Sequence, residues 1–331
     1  MAYDGTLEFW IAGSGRDVYE LVWVDENGVP TPVEPGWTVR SRPMDRSWDL
    51  SPDGRRLAWA ESGDGELGDI WIRELPRGPR GPLILSATGE RFPRWTPDGE
   101  EVTFQATKQQ ETAGWIRRAD MTGEGRALVP FDGYFVEAQW TPDQRGIVFR
   151  TGIFKGDRDI LWYRPGSDSL PQELLAEEYD ETMPALSPDG QWIAYVSDRS
   201  GQREVYANPF PDTHLPSVQI SQEGGRQPAW GRDGRHLYFL SEGGTRTASR
   251  EMWMATVDPG PPFRVIDRER LFTLPEGFYF SEVIRTYNVD ENGTGSIRFL
   301  MGRVADTGES STRKHYLVRN FTARLTDIEW R

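Results

Sequence analysis

Apolar residues two positions apart recur along this chain, each pair behind a short polar turn. The copies read "LSPDGRRLAWA" from Leu50, "WTPDGEEVTFQ" from Trp95, "WTPDQRGIVFR" from Trp140, "LSPDGQWIAYV" from Leu186 and "WGRDGRHLYFL" from Trp230. With Ser51, Thr96, Thr141, Ser187 and Gly231 as reference positions, the steps are 45, 45, 46 and 44 residues. Six residues on stand Leu57, Val102, Ile147, Ile193 and Leu237, and eight on stand Trp59, Phe104, Phe149, Tyr195 and Phe239. A spacing of two places both side chains on one strand face, so each turn predicts a buried strand behind it. A second apolar stretch follows about a dozen residues later ("DIWIREL", "GWIRRAD", "DILWYRP", "EVYANPF", "EMWMATV"), then a short third one, and a short strand such as "FPRW" or "QPAW" precedes each turn. Four strands per repeat of this length is the propeller pattern. "PQELLAEEYDE" alone looks helical, and it falls where an outer strand belongs.

Two further copies are degraded. "TYNVDENGTGSIRFLM" carries a sixth reference position at Asp290, stretched by one residue. The N-terminal "YDGTLEFWIA", "YELVWVDENG" and "TPVE" read as the turn and three later strands of another repeat whose innermost strand precedes Met1. The expectation is therefore a single all-β domain over residues 1–331, a seven-bladed β-propeller of four-stranded antiparallel blades starting near 1, 47, 92, 137, 183, 227 and 285. The alternative is six blades, with the N-terminal segment completing the last. The C-terminal "LTDIEWR" resembles the strand before a turn and is expected either to close the ring or to form an outer strand.

Composition narrows the function. The chain has 331 residues, 14 of them Trp, and a formal charge of −14. Such acidity disfavours nucleic acid and anionic membrane surfaces as partners. There is no Cys, which removes disulfides, thiolate metal sites and Cys nucleophiles. No apolar run approaches the ~18 residues of a membrane span, so no membrane insertion is expected. The N-terminus does not read as a signal peptide. The compartment stays open.

"SPDGQWIAYVSDRSGQREVYANPF" (187–210) and "GGRQPAWGRDGRHLYFL" (224–240) resemble the WD-repeat-like units of TolB propellers. They resemble still more the propeller that follows many bacterial serine/threonine kinase domains. That group shares a start like "LVWVDENG" and a finish like "LFTLPEGFYFSEVIRTYNV…RFLM…YLVRNF". The resemblance spans nearly the whole chain and implies an interaction or sensing module, either detached or separately encoded, with a protein partner; the chain is expected to be monomeric, and the extracytoplasmic side of a membrane-anchored bacterial parent is one of the locations left open. The kinase's own Gly-rich loop, "HRD" and "DFG" are absent from this chain.

Candidate chemistry is sparse. Asp53, Asp98, Asp189 and Asp233 each precede Gly and are expected to form turns rather than a site, since one per blade stands far apart around a ring. Asp290, Asn292 and Thr294 match the first half of a calcium loop, but position twelve is Met301, so the candidate is weak and neither metal nor cofactor is expected. Five before the reference position stand Arg46, Arg91, Val136, Thr182, Arg226 and Arg285. Arginines converging on a channel mouth would hold a small carboxylate or phosphate, with Glu137 pairing one of them. His214, His236 and His315 fall at unrelated repeat positions. No Ser–His–Asp set or G-x-S-x-G elbow is apparent. Trp59, Trp95, Trp140, Trp162 and Trp230 are expected between blades, whereas Trp10, Trp37 and Trp115 fit the repeat less well and would mark a partner surface if exposed. The expected function is non-enzymatic interaction or ligand sensing; the alternative is a channel-sited lyase or hydrolase acting on an anionic substrate.

Overall fold

The structure is a computed structural model that describes residues 7–11, 17–41, 47–62, 68–84, 89–108, 111–131, 133–152, 158–241, 250–281, 284–291, 296–305 and 314–318. The chain opens with β1 (Leu7–Ile11), β2 (Asp17–Asp25), β3 (Pro30–Pro32) and β4 (Val39–Ser41). Five antiparallel four-stranded blades follow. Blade 1 is β5 (Trp48–Leu50), β6 (Arg56–Ser62), β7 (Gly68–Glu74) and β8 (Arg80–Ile84). Blade 2 is β9 (Arg91–Trp95), β10 (Glu101–Lys108), β11 (Glu111–Arg118) and β12 (Arg126–Val129). Blade 3 is β13 (Val136–Trp140), β14 (Ile147–Arg150), β15 (Ile160–Tyr163) and β16 (Gln172–Leu175), so the helix-like "PQELLAEEYDE" does supply an outer strand. Blade 4 is β17 (Glu181–Leu186), β18 (Trp192–Ser197), β19 (Glu204–Pro209) and β20 (Val218–Gln219). Blade 5 is β21 (Arg226–Trp230), β22 (His236–Leu240), β23 (Glu251–Asp258) and β24 (Arg264–Thr273).

The sixth blade corrects the expected count of seven. Its inner strands β25 (Tyr287–Glu291) and β26 (Ile297–Val304) come from the C-terminal part, and its outer strands β2 and β3 from the N-terminal part. Each degraded copy lacks the strands that the other supplies, so counting them as two blades counted one blade twice. Strands β2 and β26 pair from Tyr19↔Val304 to Asp25↔Arg298, and this ladder closes the ring. The six-bladed alternative is the one observed. Strand β4 shares the outer edge of β2 with β3. Strand β1 pairs instead with β27 (Lys314–Val318) in a separate two-stranded ladder. "LTDIEWR" lies outside the described residues.

The core lies between blades. Leu57, Trp59, Val102, Phe104, Ile147, Phe149, Ile193, Tyr195, Leu237 and Phe239 are all buried, as the two-residue spacing predicts. Trp37 and Trp115 are not surface markers: Trp37 packs edge-on against Trp59 at 5.3 Å, and Trp115 packs on the cluster between blades 1 and 2.

Candidate functional site

The repeated turn is a hydrogen-bonded unit that uses one more residue than its Asp and Gly. In blade 1 the Ser51 hydroxyl donates to Asp53 Oδ1 (2.5 Å) and accepts from Arg56 N (2.8 Å), while Asp53 Oδ1 also accepts from Arg55 N (3.0 Å). Thr96 with Asp98, Thr141 with Asp143 and Ser187 with Asp189 repeat the arrangement. In blade 5 Gly231 offers no hydroxyl, and Asp233 accepts from both Arg235 N and His236 N. Burial opposes ionisation of Asp53, Asp98 and Asp233, yet the Ser51 and Thr96 hydroxyls and the turn amides for the first two, and the Arg235 and His236 amides with the His236 ring for Asp233, outweigh it and hold these carboxyls below the ordinary value. Asp143 is lowered first by the Thr141 hydroxyl and then by Arg145 N. Gly54, Gly99, Gly190 and Gly234 take left-handed φ here, and Gln144 does so at φ 58°. These carboxylates make turns.

The residue four before the reference position joins one blade to the next. Phe92, Glu137, Met183 and Gln227 all have φ between 54° and 57°, each at a bulge in its inner strand. Ser47 Oγ accepts from Phe92 N (3.0 Å), Glu137 Oε2 from Met183 N (3.0 Å), Met183 Sδ from Gln227 N (3.3 Å) and Gln227 Oε1 from Thr286 N (2.7 Å). Thus at four of the junctions the side chain of one blade takes the N–H at the same position of the next. The repeat alignment displays this column, but its residue types vary, so only the backbone geometry reveals the common role.

Glu137 does more. Its carboxylate, 2 % exposed, also accepts from Arg150 Nε at 2.9 Å and from Arg285 N at 3.2 Å. Arg285 is three blades away in the ring of six, so Glu137 ties opposite walls of the channel. Beside this tie Phe92, Val136 and Ile284 form a buried apolar plug. The channel is therefore blocked at the end where the inner strands begin.

At the turn end it opens as a cup of about 460 Å³. The column two before the reference position explains its shape: Asp49, Arg94, Gln139, Ala185, Ala229 and Asn288. Two alanines leave room on the side of blades 4 and 5. Trp140, Trp230, Leu50, Leu186 and Val289 line the walls, and Pro52, Pro97, Pro142 and Pro188 from the turns surround the mouth. The polar lining includes Gln139, Asn288, Arg232 and Arg285. Asp49 accepts from Trp95 N and Asn288 Nδ2 and lies 3.6 Å from Arg94. Burial first, and then the neighbouring Arg94 charge, lower the Arg285 pKa.

The expected site residues therefore separate. Arg285 lines the cup and meets Glu137 through its backbone N–H. Arg91 and Arg226 stand at the starts of β9 and β21, the blocked end. Arg46 lies outside the described residues. Asp290 is bound by Arg298 at 2.7 Å and faces Arg232 at 3.8 Å, while Asn292 and Thr294 lie outside the described residues.

Comparison with known proteins supplies context. Residues 93–258 match the PD40 family, described as TolB beta propeller domain. The chain is 24% identical over 201 residues, 47% of its length, to the uncharacterized peptidase YuxL of Bacillus subtilis. It is 27% identical over 138 residues, 42% of its length, to a TolB homologue of Chlorobium luteolum. It spans only 31% and 30% of those two relatives. Among solved structures, one described as TolB from Agrobacterium tumefaciens matches 79% of this chain and 90% of its own, with a TM-score of 0.60 at 18% identity, a likeness of fold.

Proposed function

The chain belongs to the TolB β-propeller family, and from that membership we propose that it is a non-enzymatic binding module whose occupant enters the turn-end cup. The observation that carries this reading is the blind cup itself: one wide mouth set in rigid turns, one blocked end, and a lining of guanidinium, amide and indole groups. Apolar walls with a few placed polar groups are what a binding pocket of about 300–1,000 Å³ offers. The partner reading follows from the same face, where the turns of successive blades stand side by side around the mouth and present one surface to a protein.

The rival, a hydrolase or lyase acting on an anionic substrate, draws on the peptidase relative, of which this chain spans under a third. The test is occupancy without turnover. Thermal shifts against a panel of small anions and acidic peptides would be measured alongside release of product from peptide p-nitroanilides and uronate oligomers. The binding reading expects shifts that vanish in Ala229→Phe, which fills the cup, and no product. Product release that Ala229→Phe abolishes would overturn it in favour of the rival.

A further inference from the structure

We propose that the turn-end cup is a site for a single carboxylate carried on an apolar body, with Arg285 as the group that receives the carboxylate. This rests on the binding reading above and adds the chemical class of the occupant.

The argument starts from which charges are already satisfied. Asp49 is occupied by Trp95 N and Asn288 Nδ2 with Arg94 beside it. Glu137 is occupied by Arg150 Nε, Met183 N and Arg285 N. Among the described residues no carboxylate lies within ion-pair distance of the Arg285 guanidinium, whose one hydrogen bond is a long one of 3.5 Å to Pro228 O. The Arg285 guanidinium is half-buried beside Arg94, and the Asp49 and Glu137 charges reach it only from beyond ion-pair distance, an arrangement that is costly to the fold. Such an arrangement is what an external anion would complete.

The rest of the cup selects the kind of anion. Its walls are indole, proline and aliphatic side chains, which favour an apolar body. Asn288 Oδ1, three residues on from Arg285 in the same blade, is buried without a hydrogen-bond partner, so the wall beside Arg285 holds unused polar capacity. Among the described residues a second anionic group meets no second free cation there. Arg232 at the mouth already donates to Pro52 O at 2.6 Å and faces Asp290. With Asp290 and Glu291 nearby and a chain charge of −14, polyanions are disfavoured. One charge on an apolar body fits; citrate and phosphate do not. The carboxylate has two sources, a free small acid or the C-terminus of a partner peptide, which share this chemistry.

The test uses the full chain with acetate, benzoate, hexanoate and 3-phenylpropionate, each against its amide, and with phosphate and citrate. Binding is read by calorimetry and by melting temperature. The expected result is that at least one of the larger monocarboxylates binds tenfold or more tightly than its amide, with phosphate and citrate causing no shift. Arg285→Met abolishes that binding and melts at or above the wild-type temperature, because a half-buried charge without an ion-pair partner is gone. A short apolar peptide with a free C-terminus, compared with its amidated form, assigns the source: a preference for the free form beyond that for the small acid points to a partner. Equal binding of acid and amide, stronger binding of citrate, no shift with any of the four acids, or unchanged binding by Arg285→Met would overturn the proposal. None of these outcomes reads turnover, so the binding reading stands or falls separately.

Discussion

Replacing Glu137 tests whether the centre of the ring is held by one buried carboxylate. In Glu137→Leu the Arg150 guanidinium, fully buried, loses the carboxylate 2.9 Å away. Breaking a buried ion pair by removing one member costs about 3–5 kcal/mol. Met183 N and Arg285 N lose their acceptor at the same time, and each buried unsatisfied amide adds about 1–3 kcal/mol. Against a total of roughly 5–15 kcal/mol for a folded domain, the single variant should be close to unfolding. The informative comparison is the double variant Glu137→Leu, Arg150→Met. It removes both charges, leaving the two orphaned amides and the Thr151 and Gly152 carbonyls that Arg150 bonds, so it should recover about 1–3 kcal/mol relative to Glu137→Leu alone. Urea denaturation followed by tryptophan fluorescence measures both. If Glu137→Leu costs less than about 1 kcal/mol, or the double variant is no more stable than the single one, then Glu137 is not the tie between opposite walls.

Three other outcomes follow from the structure. Glu181 is buried, and burial raises its carboxyl to about 7, against the opposing Ser197 hydroxyl bond. Its folded pKa then lies above its unfolded value, so the folded state holds the proton longer and stability falls as pH rises from about 4.5 to about 7. The loss is roughly 1–3 kcal/mol after allowance for solvent screening, and denaturation at pH 5 and pH 8 should show it in wild type but not in Glu181→Gln. Thr96→Val removes a hydroxyl that donates to Asp98 and accepts from Glu101 N, and should cost about 1–2 kcal/mol in the same assay; a neutral result would return the turn to its Asp and Gly alone. Gly302→Val drives a Cβ to 2.8 Å from the Trp48 ring at the junction of blades 6 and 1, so overpacking of about 1–3 kcal/mol should lower the melting temperature.

The buried strands were legible because their signal is chemical: Leu57 and Trp59, or Ile193 and Tyr195, can only be apolar where they stand. The blade count was misread because it depends on pairing. Nothing in "YELVWVDENG" states that Val22 will lie opposite Met301, and two half-repeats at the ends of a chain look the same whether they form two blades or one. The site divided along the same line. Arg285 reaches the cup, yet Arg91 and Arg226 of the same column stand at the starts of β9 and β21. A periodic alignment assumes that equivalent residues share an environment, and Glu137 and Arg285 break that equivalence by meeting across the channel.

That break ties site to scaffold. A ring of six equal blades would place equal groups around its axis and favour no direction within the channel. Here the four-before column contributes one carboxylate, Glu137, and it fixes the Arg285 backbone from the far wall. The two-before column contributes two alanines, Ala185 and Ala229, which open the space beside that arginine. The turns, alike in their hydrogen bonds in blades 1 to 4, frame the mouth. Specificity must then reside in the columns where the repeats disagree. Exchanging Ala185 or Ala229 for larger residues should alter what the cup accepts, at a packing cost to the core clusters that they join.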